Sequence, residues 1–237
     1  MDNPLSPVVY IVDDDISVRE SLQHTFSTFG FRSRIFKSAT DFLAFPREIR
    51  PSCLVLDVRL PGLSGLDLQR RVFAERFAIP VIFITAFADV PISVQAMKVG
   101  AVEFLTKPID ISHLMEAVQL AIAHSGEAIA QTESYLSLQR RYATLSQRER
   151  QVMSLVTSGL LNKQVAWKLG ICEITVKAHR GRLMRKMKAS SLADLVRMES
   201  SLGAASAGGT NASVDAEAHP AVAIPDSGLS QADAARR

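Results

Sequence analysis

The sequence predicts a two-part protein, in which a doubly wound α/β domain with a five-stranded parallel sheet is followed by a small all-α domain. Three observations support this prediction. Short apolar runs alternate with helical patterns over the first 120 residues, the pattern from about residue 145 is helical throughout, and the charges are divided unevenly between these two parts. A chain of 237 residues is long enough for two small domains.

Five short segments are the candidate strands of the first domain. In chain order they are Val8–Val12, Arg32–Phe36, Cys53–Leu56, Val81–Ile84 and Val102–Leu105. Three of them are continuous apolar runs, and between the strands apolar residues recur at the three- and four-residue spacings of helices. Continuous apolar strands separated by helices indicate a parallel sheet that is covered on both faces. Ligands of such sheets bind at the carboxyl ends of the strands.

The second domain begins at a capping-box pattern, in which Ser146 stands three residues before Glu149. A helix is therefore predicted to start at Ser146 and to end near Gly159. The elements predicted to follow are a helix over Asn162–Leu169, a tight turn at Gly170 and a helix over Glu173–Met187. In the last helix, we expect inward positions for Ile174, Val176, Leu183 and Met187.

Two further segments complete the domain organisation. Residues 125–141 are polar and lack proline, which predicts a partly helical linker between a first domain at 7–124 and a second at 142–202. Residues 203–237 are rich in Ala, Gly and Ser. This tail is expected to be disordered, because it cannot bury enough apolar surface to offset the entropy of ordering.

The composition of the chain indicates which partners it can bind and in which cellular compartment it is expected. Between Leu138 and Met198 there are thirteen Lys and Arg residues against three Asp and Glu, although the whole chain has a net charge of only +3. Such a basic block favours a polyanionic partner. There is no apolar run of about 18 residues and no signal-peptide pattern at the N-terminus, so we expect a cytoplasmic protein without membrane contact. Cys53 and Cys172 lie in apolar contexts and are expected to be buried thiols.

Charged and hydroxyl side chains follow the ends of four predicted strands. They are Asp13, Asp14, Asp57, Thr85 and Lys107. In a parallel sheet these positions share one rim, and two carboxylates about 5 Å apart repel by roughly 3 kcal/mol at an effective dielectric near 20. A cation is therefore needed, and carboxylate oxygens suit Mg²⁺, with Mn²⁺ as the alternative. Each residue alone could cap a helix or face water, but the whole set favours a phosphoryl-transfer site.

This spacing resembles the receiver domain of two-component response regulators, a flavodoxin-like fold, over about residues 7–124. The resemblance implies that Asp57 is the phosphoacceptor. It also implies that Asp14, Asp57 and the backbone carbonyl of Arg59 bind the metal, while Asp13 contributes through water. The resemblance implies no catalytic residue beyond this phosphoacceptor site.

The same resemblance implies a phosphoryl-binding switch. Thr85 would hydrogen-bond the phosphoryl group and Lys107 would pair with it. Phe104, three residues before the lysine, would be the rotating aromatic residue of the switch; ordinary core packing is the alternative for this side chain. The peptide bond before Pro108 is expected to be cis.

The last predicted helix is basic, and a basic second helix after a tight turn fits recognition in the DNA major groove. Each phosphate neutralised would make binding salt-dependent. A basic amphipathic helix could instead lie on an acidic membrane, but the two preceding helices and the glycine turn favour DNA.

Three sequence segments resemble the LuxR-type helix-turn-helix: LSQRER at 145–150, NKQVA at 162–166 and ITVKAHR at 174–180. Together with the receiver, they make the chain resemble the NarL/FixJ family of response regulators, and the FixJ-type branch most. The resemblance places Lys177, Ala178 and Gly181 at base-facing positions, and Gly181 is a departure because some members have a basic residue there. The candidate DNA-binding residues are Thr175, Lys177, Ala178, Arg180, Gly181, Arg182, Arg185 and Lys163. Trp167 is expected to pack beside the second helix, and His179 is expected to be a packed or backbone-contacting residue.

The family implies a phosphorylation-controlled DNA-binding transcription regulator that is not an enzyme in the usual sense. Its implied partners are a histidine kinase, double-stranded promoter DNA, a second copy of the chain on phosphorylation, and RNA polymerase as a further candidate. Two alternatives stay open. An aspartyl-phosphate hydrolase of the haloacid-dehalogenase type needs a second acid two residues after the nucleophile, where this chain has Arg59. A protein-binding adaptor would carry the basic module without contacting DNA.

Overall fold

A computed structural model of the chain describes residues 6–74, 79–86 and 90–208. The chain divides into two compact units, Met1–Ser137 and Leu138–Arg237. Across the described ranges, none of the helices combines the length and the apolar character that crossing a membrane requires.

The first unit contains a five-stranded parallel sheet. Its strands are β1 (Val8–Val12), β2 (Arg32–Phe36), β3 (Ser52–Asp57), β4 (Val81–Thr85) and β5 (Glu103–Thr106). The strand order is β2-β1-β3-β4-β5, and every neighbouring pair is parallel. This order confirms the predicted doubly wound class. The predicted strands agree with the observed bounds to within one residue at either end.

Helices cover both faces of this sheet. They are α1 (Ile16–Thr28), α2 (Ala39–Ala44), α3 (Gly65–Phe73), α4 (Val90–Lys98) and α5 (Ile111–Ala143). Successive strand residues point to opposite faces, so Tyr10 of β1 joins a core cluster with side chains of α2, α3 and α4. Its neighbour Ile11 joins the other cluster with side chains of α1 and α5. This two-sided burial explains why the strands are continuous apolar runs.

The second unit is helical. Besides the end of α5, it contains α6 (Gln147–Thr157), α7 (Asn162–Leu169), α8 (Glu173–Met187) and α9 (Leu192–Gly208). The bounds of α7 and α8 confirm the prediction, and the capping box at Ser146 and Glu149 is present. Gly159 and Gly170 follow the ends of α6 and α7 with φ of +91° and +65°, the left-handed conformation in which helices commonly end.

Three features differ in extent or environment from the sequence expectations. Helix α5 covers the whole of residues 125–141, and α9 continues to Gly208, into the tail expected to be disordered; residues 209–237 lie outside the described ones. Cys53 is buried as predicted, but Cys172 is exposed. The expectation for Cys172 was wrong because this residue is the N-cap of α8, at the surface turn after α7.

Candidate functional site

Two carboxylates lie at the carboxyl-terminal rim of the sheet, because β1 and β3 end there. Asp57 is the last residue of β3 and Asp13 directly follows β1. Both side chains are buried, whereas the neighbouring Asp14 is exposed. One carboxylate oxygen from each of these three residues lies within 4.8 Å of the other two. Oxygen donors at this separation, open to water through Asp14, fit a hard divalent cation.

Lys107 joins the two buried carboxylates. Its Nζ lies 2.7 Å from Oδ2 of Asp13 and 2.9 Å from Oδ2 of Asp57. Burial alone would lower the pKa of Lys107, but its hydrogen bonds to the two carboxylates outweigh this effect and raise the pKa. Burial raises the pKa of Asp13, and the hydrogen bond from Lys107 opposes that rise. The site thus holds an ammonium group directly between two carboxylates.

Backbone groups orient the same carboxylates. The Arg59 N–H donates to Oδ1 of Asp57 at 3.0 Å, and the Asp15 N–H donates to Oδ1 of Asp13 at 2.9 Å. Arg19 on α1 donates from Nη1 to the backbone carbonyl of Asp13 at 2.6 Å and is itself buried. Arg19 was not predicted from the sequence, because a single basic residue on an amphipathic helix carries no signal of a buried position. Asp15 caps α1 by accepting from the Ser17 N–H.

Thr85 and Phe104 lie on neighbouring strands next to this rim. Thr85 is the buried last residue of β4, and the residue before it, Ile84, pairs with Asp57 across the sheet. The carbonyl of Thr85 accepts from the Lys107 N–H at 2.7 Å. Phe104 on β5 is half-buried, and its ring centroid lies 6.2 Å from that of Phe83. The peptide bond between Lys107 and Pro108 is cis, as predicted.

The candidate DNA-binding residues lie mainly on the outer side of α8. Five of them are exposed on α8 and one on α7, and these are Lys177, Ala178, Gly181, Arg182, Arg185 and Lys163. Thr175 and Arg180 are half-buried. Arg180 donates from Nη1 to Oδ1 of Asn162 at 3.2 Å, which links α8 to the start of α7.

Two expectations about packing in this unit were wrong. Ile174 is 79% exposed, although it was expected to face inward, and Trp167 is 83% exposed, although it was expected to pack beside the second helix. Ile174 precedes the buried Val176 by two residues, which places it about 200° around the helix, on the far side from the core. Trp167 likewise follows the buried Val165 by two residues. His179 is half-buried, and its Nδ1 has no hydrogen-bond partner in the described part of the chain.

The C-terminal end of α8 is anchored by groups outside the helix. Oε2 of the buried Glu149 accepts from the Ser146 N–H at 2.8 Å and from Nζ of Lys186 at 2.7 Å. Arg141 donates from Nη1 to the carbonyl of Met187 at 2.7 Å. Burial favours a higher pKa for Glu149, but the hydrogen bonds from Lys186 and Ser146 prevail and lower it. The helix cap was predicted from the sequence, but the ion pair between Glu149 and Lys186 was not, because it joins residues far apart in the chain.

Two families match separate parts of the chain. Residues 9–119 match the response regulator receiver domain, and residues 143–199 match the bacterial regulatory proteins of the luxR family. Nodulation protein W of Bradyrhizobium diazoefficiens is 48% identical, over 83% of this chain and 86% of that protein. The transcriptional regulatory protein FixJ of Rhizobium meliloti is 44% identical, over 80% and 93%. A solved structure of the response regulator StyR has a TM-score of 0.76 and 42% identity, over 82% of this chain and 98% of that one.

Proposed function

The chain belongs to the FixJ-type response regulators, which are two-component transcription regulators with a receiver domain and a LuxR-type DNA-binding domain, and from this membership we propose that phosphoryl transfer to Asp57 controls its binding to promoter DNA. The observation that carries this proposal is the position of the Lys107 ammonium. It lies within hydrogen-bond distance of both Asp57 and Asp13 at the carboxyl-terminal rim of the sheet.

Asp57 is the proposed nucleophile. Its two carboxylate oxygens are held by different donors, Oδ1 by the Arg59 N–H and Oδ2 by Nζ of Lys107, so the carboxylate is oriented before the phosphodonor arrives. A carboxylate oxygen attacks the phosphorus of a phosphohistidine on the partner kinase. A P–O bond forms, the P–N bond breaks, and the leaving imidazole takes up a proton. Lys107 then stabilises the added negative charge.

The donor set fits Mg²⁺, with Mn²⁺ as the alternative. Asp14 and Asp57 are the proposed direct ligands together with the Arg59 backbone carbonyl, and Asp13 contributes through water. When bound, the metal supplies positive charge to the oxygens of the phosphoryl group. Asp13 also keeps Lys107 in place through their 2.7 Å hydrogen bond.

The proposed switch links this pocket to Phe104 on β5. The phosphoryl group adds negative charge and hydrogen-bond acceptors, which attract the hydroxyl of Thr85. Phe104, now half-buried against the core, turns into the space that Thr85 leaves. The altered surface favours pairing with a second copy of the chain, and this pairing increases promoter binding.

In the DNA complex, α8 is the proposed major-groove helix. Lys177, Ala178 and Gly181 face the bases. The phosphates are contacted by Thr175, Arg180, Arg182, Arg185 and Lys163. The basic charge of the segment, thirteen Lys and Arg against three Asp and Glu over 138–198, supports this assignment over the adaptor alternative. RNA polymerase is a further candidate partner of the promoter-bound dimer.

The test of the phosphoacceptor is modification by a small acyl phosphate in the presence of Mg²⁺, followed by intact-protein mass spectrometry. The parent is expected to gain one phosphoryl group and Asp57→Asn none. Asp15→Asn is the matched control, since it makes the same change at a neighbouring acid that caps α1 and lies outside the pocket. Equal modification of the parent and Asp57→Asn would contradict the proposal. Rapid turnover of the acyl phosphate would favour the hydrolase alternative.

A further inference from the structure

On the side of α8 that faces away from the core of the second unit, the residues along the middle are mostly uncharged. Three buried residues, Val176, Leu183 and Met187, define the side of α8 that packs into the unit. Each residue advances about 100° around an α-helix. The residues about 140° to 200° from that buried side therefore form the ridge farthest from the core.

That ridge consists of Ile174, Ala178, Gly181 and Arg185, spaced at four, three and four residues along the helix. All four are exposed, and the first three carry no charge. The basic side chains of Lys177 and Arg182 flank them on either side. When α8 enters a groove, the three uncharged ridge residues meet the edges of the bases. Lys177 borders them on the base-facing flank, and Arg182 lies on the flank near the phosphates.

Ile174 is the large apolar side chain of this ridge. It is 79% exposed, and it is the second residue of α8. In a helix-turn-helix complex, the N-terminal residues of the recognition helix contact the base edges. The smaller ridge residues do not shield it, because Ala178 is short and Gly181 has no atom within 4 Å of where a Cβ would be.

We propose that Ile174 is a specificity-determining residue, which reads the 5-methyl group of a thymine in the major groove. The inference rests on the proposed function, in which α8 is the major-groove helix. The thymine methyl is the apolar group that the major groove presents, whereas the other base edges present hydrogen-bond donors and acceptors. An isoleucine pressed against those polar edges would desolvate them without providing a partner, which is unfavourable. Ile174 therefore favours thymine at the position it covers.

The experiment removes the methyl group and changes nothing else in the base. Duplexes are first selected from a random DNA library with the full chain, treated with acyl phosphate and Mg²⁺. In the selected site each thymine is then replaced singly by uracil, and dissociation constants are measured for the parent, Ile174→Ala and Val196→Ala. Val196 is the matched control, an exposed β-branched residue on α9 of the same unit.

For the parent and Val196→Ala, replacing one particular thymine of each half-site with uracil is expected to lower the affinity about fourfold. This factor corresponds to about 0.8 kcal/mol for one buried methyl group. Ile174→Ala is expected to bind the thymine and uracil duplexes equally. If Ile174→Ala binds DNA and keeps the same thymine-to-uracil ratio as the parent at every position, the inference is overturned while the proposed function stands. If the parent selects no sequence from the library, the proposed function fails and the inference with it.

Discussion

Replacing Glu149 with Gln is expected to destabilise the second unit by about 1.5–2 kcal/mol at neutral pH. Glu149 is 3% exposed, and its carboxylate accepts hydrogen bonds from the Ser146 N–H and Nζ of Lys186. A Gln side chain keeps the size and can still accept from Ser146, but the charge-assisted bond to Lys186 is lost. Hydrogen bonds to charged groups contribute about 1.5–3 kcal/mol. The lower part of this range applies because the Lys186 side chain is 40% exposed and can regain water.

The effect of Glu149→Gln is expected to depend on pH. In the folded protein the pKa of Glu149 lies below its usual value: burial opposes this shift, but the hydrogen bonds from Lys186 and Ser146 outweigh burial. A lowered folded-state pKa means that the stabilisation is fully present above the unfolded pKa of about 4.3. It is lost as the pH falls through the folded pKa. The difference in stability between parent and variant should therefore shrink below about pH 4.3.

Amide hydrogen exchange with mass spectrometry is the suitable assay, because it reports the slowest amides of α6 and α8 separately from the first unit. Fluorescence is less useful, since the single tryptophan, Trp167, is already 83% exposed in the folded state. Glu173→Gln is the control. It removes the same charge from the exposed Glu173–Lys177 pair, and its effect should stay within about 0.5 kcal/mol. If Glu149→Gln loses no more stability than Glu173→Gln, or if its loss grows at low pH, the ion pair between Glu149 and Lys186 does not stabilise the second unit as expected.

Three further predictions concern the two proposed sites. Gly65→Ala should lower the stability of the first unit by about 1–3 kcal/mol in a thermal unfolding experiment, because the added Cβ would clash with the Asp57 carbonyl; Gly181→Ala, with no atom nearby, should not destabilise the protein. Thr85→Ala should accept the phosphoryl group but lose most of the resulting gain in DNA affinity, as measured by fluorescence anisotropy. Arg182→Ala should reduce the slope of log K against log salt by about 0.9 if the residue contacts one phosphate.

The outcomes that would contradict these three predictions are distinct. If Gly65→Ala unfolds at the same temperature as the parent, the backbone near Asp57 can move to accommodate the added Cβ without loss of stability. If the phosphodonor increases the DNA affinity of Thr85→Ala as much as that of the parent, the Thr85 hydroxyl has no part in the switch. An unchanged salt slope in Arg182→Ala would place this residue away from the phosphates, and the matched variant Arg197→Ala on α9 provides the reference value.

Much of the first unit was predictable because its signals are local and repeated. A strand buried on both faces must be apolar at every position, so Val8–Val12 is visible as a continuous run, and a polar residue directly after such a run marks the rim of the sheet. Five residues at four strand ends therefore indicated the pocket. Arg19 was not predictable, because its contact with the Asp13 carbonyl depends on how α1 lies against β1.

In the second unit, the bounds of α7 and α8 were predictable from Gly170 and from the apolar spacing, whereas the outward side chains were not. Ile174 and Trp167 are apolar, and hydrophobicity alone predicts burial. Folded proteins nevertheless expose many apolar atoms, and the position of a residue around the helix decides whether its side chain is buried. The Glu149–Lys186 pair could not be predicted either, since it joins two helices and their packing sets the distance between the two side chains.

Phosphate control of DNA binding through Asp57 is tested by measuring DNA affinity and oligomeric state together, with and without a small phosphodonor plus Mg²⁺, for the parent and Asp57→Asn. If Asp57 is the phosphoacceptor that controls binding, the phosphodonor will increase both dimer formation and promoter affinity in the parent and change neither in Asp57→Asn. Equal binding by both proteins, whether or not the phosphodonor is present, would contradict phosphate control through Asp57.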